Sequence, residues 1–290
     1  MIGYRIGPTE LRRRIREHDP NWLAQAENGE EPAWSRIKDV FVSIQHFKCG
    51  YCERPMPRPQ QRPGGSAAGR TWGGRREYDL EHFRPKREVT RWPTAISGLQ
   101  YEFETGEDME DGYPWLAHDC LNYLVSCKTC NQDNKKTCFP VSGPRGTEGE
   151  NVRQLNQSER PFLVNPVGTD DVPPEELVCF RGFVAVPCNA QGHERRRGQV
   201  IIDLFGLNLR DELRLERCNL IRAMWPYLEL NRTGNPTERD AAEREIDGLT
   251  KPRSQHANCA RCFRSLYQED RANARACYEE AGRLSDRLLA

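Results

Sequence analysis

Two cysteine pairs constrain this chain more than any other feature of its sequence. Cys49 and Cys52 form one CxxC pair, and Cys127 and Cys130 form a second pair later in the chain. This spacing lets two thiolates lie about 4 Å apart and share one zinc ion, and two such pairs complete a tetrahedral ligand set. We therefore predict a structural zinc site, with buried thiols or a redox role as the alternatives.

Length and composition favour a soluble protein. The chain has 290 residues, enough for one large domain or two smaller ones, and 30% of them are charged. It has neither a run of about 20 apolar residues nor an apolar signal sequence, so we expect a cytoplasmic protein without membrane segments. The twelve cysteines are then expected to be reduced thiols or metal ligands rather than disulfides.

Charge is distributed unevenly although the whole chain is neutral. Residues 48–91 contain eleven Lys and Arg and five Asp and Glu, net +6, whereas residues 92–125 contain seven acidic and no basic residues, net −7. A basic segment of this kind is typical of a surface that follows a phosphate backbone. An arginine-rich loop without a specific partner is the alternative interpretation.

Apolar periodicity predicts two helices before the first cysteine pair. One is expected from Thr9 to about His18, and the second from Pro32 to Phe47, where it leads into Cys49. The segment 54–76 is rich in Pro, Gly and Arg and has no apolar period, so we predict a flexible insertion there.

The remaining sequence predicts an α+β fold. Alternation indicates a strand at 78–83 and a second one at 120–125, followed by a helix at 128–136. A hairpin is expected across 178–186. The last hundred residues are predicted to be mostly helical, ending in one long helix at 254–289.

Four residues near the cysteine pairs have the chemistry that phosphodiester hydrolysis needs. His82 is the candidate general base, because neutral imidazole accepts a proton near pH 7. Glu81 and Asn131 present oxygen atoms that suit Mg²⁺ or Mn²⁺, with Asp79 as a reserve ligand. Asn122 is expected to hold a loop by side-chain hydrogen bonds to the backbone.

Each of these residues also has a simpler interpretation. A Glu-His pair is common at a solvated strand end, and an isolated asparagine is common in turns and caps. Three basic residues follow His82 on the same segment and are candidates either for phosphate contacts or for solvated salt bridges, namely Arg84, Lys86 and Arg87.

The motifs EHFRPK at 81–86 and LNYLVSCKTCN at 121–131, together with the cysteine pairs, resemble those of HNH endonucleases. The resemblance implies a ββα-metal core that includes the four-cysteine zinc site, flanked by N-terminal helices and a mostly helical C-terminal region. It also implies roles for four residues. Glu81 and Asn131 would bind the catalytic cation, although Glu81 replaces a more frequent aspartate; His82 would be the base, and Asn122 would orient a loop.

A wider pattern resembles the HNH subunit of Septu-type antiphage systems and related retron effectors. It consists of the tryptophan-containing N-terminal helix, CGYCE at 49–53, EHFRPK, FLVNP at 162–166, and GLN at 206–208 before a helix. That resemblance implies an ABC-type ATPase partner. The chain as a whole is predicted to divide into an N-terminal helical segment at 1–47, a nuclease core at 48–140 and a mostly helical region at 141–290, and the resemblance implies that the partner docks on this last region.

The sequence therefore predicts a zinc-containing, Mg²⁺- or Mn²⁺-dependent nuclease in antiphage defence, acting on DNA in preference to RNA. An RNA- or tRNA-directed nuclease and a noncatalytic zinc module that binds nucleic acid or protein are the alternatives. A third CxxC pair, Cys259 and Cys262, lies near His256 but has no matching second pair, so a packed helix face is the preferred interpretation. His118 is expected in a loop, with an approach to the catalytic metal as the alternative.

Overall fold

The computed structural model describes residues 1–57 and 78–289. Most of the predicted insertion at 54–76 therefore lies outside the described residues. Within the described part of the chain, no helix is both long enough and apolar enough to cross a membrane. The predicted mixture of helices and small sheets is confirmed.

The chain packs as two compact units, which we call the N-terminal unit and the C-terminal unit. The N-terminal unit comprises Gly3–Tyr51 and Pro55–Pro173. The C-terminal unit comprises Met1–Ile2, Cys52–Arg54 and Pro174–Ala290. This division describes backbone packing, and the three functional segments predicted from the sequence stay predictions.

A two-stranded antiparallel sheet belongs to the N-terminal unit. β1 (Tyr78–His82) pairs with β2 (Tyr123–Cys127), and His82 lies opposite Tyr123. Side chains alternate along a strand, so Asp79 and Glu81 project from the same face of β1. β2 is followed by a π-helical segment, Thr129–Lys135. The order of strand, strand and helix is the predicted one, although the helix is π-helical, a form that often occurs at functional sites.

The second strand starts later than predicted. Residues Cys120–Asn122 form a 3₁₀ turn, because the side chain of Asp119 accepts a hydrogen bond from the Leu121 amide at 2.9 Å and caps the turn. The strand therefore begins at Tyr123. This turn places Asn122 immediately before β2, where its side chain faces the interior.

The predicted helix at 32–47 is divided and shortened. Residues Trp34–Ile37 form a 3₁₀ turn, and the α-helix that follows, α3, covers only Lys38–Ile44. His46 and Phe47 both have positive φ angles, 53° and 59°, so the chain cannot continue as a right-handed helix. These two residues turn the chain toward the first cysteine pair.

The N-terminal unit contains further α-helices. They are α1 (Pro8–His18), α2 (Pro20–Glu27) and α4 (Val152–Glu159). In α4, Asn151 and Gln154 form a capping box, since each side chain bonds the other residue's backbone amide.

The C-terminal unit combines one hairpin with long helices. β3 (Val178–Arg181) pairs with β4 (Val184–Pro187), and Gly182 makes the turn with a φ of 59°. The helices are α5 (Gly192–Leu204), α6 (Asp211–Thr233), α7 (Pro236–Thr250), α8 (Ala257–Glu269) and α9 (Arg271–Leu289).

The prediction of one long final helix at 254–289 is wrong, because two helices occupy this segment. Asp270 adopts φ −146° and ψ 83°, which ends α8 and lets α9 start at Arg271. Cys259 lies in the apolar core of this unit beside residues of α6 and α9. This agrees with the preferred interpretation of the third CxxC pair as a packed helix face.

The expectation of reduced cysteines throughout is also wrong. Cys179 and Cys188 form a disulfide that closes the end of the β3–β4 hairpin, with Cα atoms 5.0 Å apart. The strand pairing brings Cys179 opposite Val186, and Cys188 follows two residues later. The hairpin geometry therefore places the two thiols within bonding distance.

Candidate functional site

Glu81 is buried at the centre of the predicted site and carries two polar contacts. Its side chain is 3% exposed, and one carboxylate oxygen lies 2.7 Å from Nζ of Lys135. The other oxygen accepts a hydrogen bond from Oγ of Ser126 at 2.9 Å. Burial raises the pKa of Glu81, while the ammonium group of Lys135 and the Ser126 hydroxyl oppose that increase. Lys135 was not predicted as a site residue, although its position four residues after Asn131 puts both on one helix face.

His82 is held in one tautomer by a backbone carbonyl. Its Nε2 atom lies 2.9 Å from the carbonyl oxygen of Ala117. Because a carbonyl oxygen only accepts hydrogen bonds, Nε2 carries the proton and Nδ1 presents its lone pair. Burial, together with the positive charges of Lys86 and Lys135, lowers the pKa of His82 to about 4, although the hydrogen bond with Ala117 acts in the opposite direction. The imidazole is therefore neutral near pH 7, as a general base must be.

Two aromatic rings fix the orientation of the His82 ring. Tyr123, on the paired strand, lies 5.0 Å away between ring centroids, and Trp34 lies 5.4 Å away. Both pairs are edge-to-face, an arrangement that aromatic side chains favour. The imidazole is thus constrained by its hydrogen bond on one edge and by rings beside it.

Asn131 faces the reserve ligand Asp79 rather than standing alone. Nδ2 of Asn131 donates to a carboxylate oxygen of Asp79 at 3.1 Å. The same carboxylate accepts hydrogen bonds from Nζ of Lys128 at 2.7 Å and from Nε2 of Gln132 at 3.1 Å. With its amide nitrogen fixed in this way, Asn131 has its Oδ1 atom left to serve as an oxygen ligand.

Asn122 is fully buried and joins two loops through its side chain. Oδ1 accepts a hydrogen bond from the Arg84 amide at 2.8 Å, and Nδ2 donates to the Arg84 carbonyl at 3.0 Å and to the Leu116 carbonyl at 3.3 Å. The loop that Asn122 holds is therefore the one after β1, together with the segment that precedes β2. Both segments adjoin His82, one through the chain and the other through Ala117.

One cavity brings the predicted residues together. It has a volume of about 410 Å³, and Glu81, His82 and Asn131 all line it. Apart from His82, the ionisable residues that line it include more basic than acidic ones. The basic residues are Lys38, Lys86, Arg87, Lys135 and Lys136, and the acidic residues are Asp79 and Glu81. A concave site with an excess of positive charge attracts anionic groups such as phosphates. His118 does not line this cavity.

Arg84 has to be removed from the predicted phosphate contacts. Its side chain is fully buried, and its guanidinium binds Glu159 at 2.9 Å and Asn156 at 2.9 Å. Phe139 lies against the same group, with its ring centroid 5.0 Å away. A buried, paired guanidinium cannot reach a phosphate in solvent, so Arg84 anchors the loop after β1. Lys86 and Arg87, by contrast, do line the cavity.

The four cysteines of the two CxxC pairs converge. The sulfur atoms of Cys49, Cys52, Cys127 and Cys130 all lie within 4.8 Å of one another. Four thiols at this separation fit a tetrahedral zinc ion, whose bonds to sulfur are about 2.3 Å long. The amide of Cys127 also donates to the Cys49 sulfur at 3.3 Å, which favours a thiolate at that position. These four residues could hold a metal ion such as zinc.

No second group of this kind is found elsewhere in residues 1–57 and 78–289. His256, near the third CxxC pair, instead contacts the carboxylate of Glu216 at 2.9 Å. Burial lowers the pKa of His256.

Comparison with known proteins gives one informative similarity. Part of the chain is similar to a Septu protein. This relative is the Septu protein PtuB of Bacillus mycoides (strain KBAB4), which is 30% identical over 130 residues. The match covers 42% of this chain and 35% of PtuB, so the chain spans about a third of the length of the curated relative. No family model matches the chain, and no solved structure matches it.

Proposed function

We propose that this protein is a metal-dependent endonuclease that hydrolyses phosphodiester bonds, with DNA favoured over RNA. The observation that carries the proposal is the orientation of His82. Its Nδ1 lone pair belongs to a neutral imidazole in a cavity that also contains Glu81 and Asn131 and has an excess of basic residues. Phosphodiester hydrolysis requires a general base, oxygen ligands that hold a divalent cation, and positive charge that attracts the phosphate.

His82 takes a proton from the attacking water in this proposal. The proton moves from water to Nδ1, and the Nε2 hydrogen bond to Ala117 stabilises the imidazolium that results. The rings of Trp34 and Tyr123 keep the imidazole from rotating away from the substrate. General-base catalysis of this type contributes about 10²- to 10⁴-fold in rate.

Glu81 and Asn131 would hold the divalent cation. Carboxylate and amide oxygens suit Mg²⁺ or Mn²⁺, which when bound would stabilise negative charge on the phosphate and leaving oxygens. Lys135 already occupies one carboxylate oxygen of Glu81. The fit therefore requires Glu81 to bind the cation through another lone pair or to share this oxygen with Lys135.

Lys86 and Arg87 are proposed to contact the nucleic-acid backbone. They follow His82 by four and five residues and line the same cavity. Contacts of this kind fix the position of the strand without reading its sequence, and they make binding depend strongly on salt.

We also propose a role in antiphage defence and an ABC-type ATPase partner. The similarity to the Septu protein PtuB supports the defence role. The ATPase partner is what the resemblance of the sequence motifs to Septu-type systems implies. Co-expression of the tagged chain with a candidate ATPase from the same genome, followed by copurification, tests the partner. Loss of protection against phage in a His82→Ala strain tests the biological role.

A noncatalytic zinc module is the second candidate function. The specific observation in its favour is that the two carboxylate oxygens of Glu81 contact protein groups, namely the ammonium group of Lys135 and the hydroxyl of Ser126. Such a module would bind nucleic acid or protein but would cut nothing under any condition.

A substrate panel separates these functions. Purified protein is incubated with plasmid DNA, total RNA or tRNA, each with Mg²⁺, with Mn²⁺ or without added cation, alone and with the ATPase. The proposal expects cation-dependent cleavage of DNA before RNA. Binding without cleavage in every combination would favour the noncatalytic module, and preferential cleavage of tRNA would assign the nuclease to RNA.

A further inference from the structure

We propose that Trp34 is a stacking site for an unpaired nucleobase beside the scissile phosphate. The substrate would then be nucleic acid that is single-stranded, or locally unpaired, where it is cut. This inference rests on the proposed nuclease function and specifies the substrate class of the same site.

The position of Trp34 places such a base next to the candidate catalytic residue. Trp34 starts the 3₁₀ turn before α3 and lines the same cavity as His82. The two ring centroids are 5.4 Å apart, and the ring planes are inclined at 75°. A base stacked on the indole would therefore lie beside the imidazole that activates water.

The exposure of Trp34 is not explained by packing. Its side chain is 37% exposed, whereas Trp22 in the same unit is fully buried. The indole Nε1 of Trp22 donates to the Ala33 carbonyl at 3.1 Å, but Trp34 makes no hydrogen bond to any described residue. Aromatic side chains are common in the lining of ligand-binding cavities.

Lys86 supplies the charge that a nucleotide needs beside this ring. Its Nζ atom lies 3.5 Å from the centroid of the Trp34 ring, a cation–π contact. An aromatic surface with an ammonium group matches both parts of a nucleotide. In the proposed complex the ammonium group leaves the ring to pair with the phosphate, and the base stacks on the face that it covered. Trp34 and Lys86 together thus form one nucleotide subsite.

Stacking on a side chain selects for unpaired bases. Within a duplex, each base face is already covered by the neighbouring base pairs, and exposing one costs unpairing and unstacking free energy. A single strand presents its base faces without that cost. The Trp34 subsite therefore favours single strands, or duplexes that open at the cleavage position.

The test measures binding to fluorescent oligonucleotides without added divalent cation, so that cleavage does not interfere. A DNA single strand, an RNA single strand of the same sequence and the DNA duplex are compared by anisotropy. We expect the wild type to bind single strands more tightly than duplex. Trp34→Ala should weaken single-strand binding about tenfold or more, whereas Trp34→Phe should retain most of the affinity.

Leu99→Ala is the matched control. Leu99 is 38% exposed in the same unit but does not line the cavity, so its removal should leave binding unchanged. A strand with 2-aminopurine at the cleavage position adds a readout that needs no variant, because stacking on Trp34 should quench its fluorescence in the wild-type complex. The sugar preference between the two single strands decides between DNA and RNA at this subsite.

Several results would overturn the inference. Unchanged single-strand affinity in Trp34→Ala, equal affinity of the wild type for duplex, or 2-aminopurine that is not quenched would each do so. If cleavage nevertheless occurs, only the stacking site fails and the nuclease proposal stands. If the wild type neither binds nor cuts any nucleic acid, the proposed function fails with it.

Discussion

Nζ of Lys135 lies 2.7 Å from a carboxylate oxygen of Glu81, and the two side chains are only 1% and 3% exposed. The two buried groups stabilise each other, because removing either one would leave an uncompensated charge in an interior of low polarity. Lys135 therefore opposes the increase in the pKa of Glu81 that burial causes. It also competes with any cation that approaches the same oxygen.

Removing the Lys135 charge should destabilise the N-terminal unit. Lys135→Met leaves Glu81 buried without its counter-charge, and we expect the free energy of unfolding to fall by about 3–5 kcal/mol in urea denaturation. Lys136→Met is the control, since Lys136 is exposed and should change stability by less than about 0.5 kcal/mol. Adding Glu81→Gln to Lys135→Met should restore much of the loss; a purely additive double variant would contradict this pairing.

Zinc should bind at the four converging cysteines. We expect about one equivalent of zinc per chain by elemental analysis, because two CxxC pairs complete one site. Cys52→Ser and Cys130→Ser should lose the metal and lower the thermal midpoint, since structural zinc contributes directly to folding. Cys138→Ser removes a buried thiol outside the group and should retain zinc. A folded, reduced preparation free of zinc would contradict the assignment.

Asn122→Ala should affect both stability and cleavage. The substitution leaves the buried amide and carbonyl of Arg84 and the carbonyl of Leu116 without the Asn122 side chain. We expect a loss of about 2–4 kcal/mol in the free energy of unfolding, since each unsatisfied buried group costs about 1–3 kcal/mol. Cleavage under conditions where the variant is still folded should also fall. Wild-type activity in a folded variant would mean that this loop does not position His82.

The C-terminal unit should lose stability in acid through Glu229. Hydrogen bonds from Arg271, and then from Tyr267 and Arg232, lower the pKa of Glu229 to about 2. The folded state therefore binds fewer protons than the unfolded state. Its contribution is present above the unfolded pKa of about 4.3 and disappears as the pH falls toward about 2.

Denaturation curves across this pH range test whether stability falls as the pH is lowered. Glu229→Gln should lower stability at neutral pH and reduce the dependence on pH below about 4.3. Glu245→Gln is the control, because Glu245 is exposed and makes no salt bridge with a described residue. An unaltered acid dependence in Glu229→Gln would place the responsible groups elsewhere.

Local sequence patterns predicted the parts of the fold that depend on neighbouring residues. The alternation around His82 and the apolar run before Cys127 predicted two strands, and β1 and β2 pair there. The CxxC spacing predicted four thiols around one point, and they lie within 4.8 Å. In each instance the relevant geometry is set over a few residues.

Long-range partners could not be read from the sequence. Arg84 stands in a basic segment and was predicted on the surface, but its counter-charge Glu159 lies 75 residues away in the chain. Ala117, which fixes the tautomer of His82, acts through its backbone and has no side-chain signal. Lys135 was not predicted but could have been, because its helical spacing from Asn131 is visible in the sequence.

The most direct test of the account is the cleavage rate of His82→Ala beside the wild type, under single-turnover conditions on the preferred substrate with Mg²⁺ or Mn²⁺. Zinc content and the thermal midpoint are measured on the same preparations. If His82 is the general base, the variant should keep its zinc and its folded structure, but its cleavage rate should be lower by about 10²- to 10⁴-fold. A folded, zinc-containing His82→Ala protein that cuts at the wild-type rate would contradict the proposed mechanism and place the base at another residue.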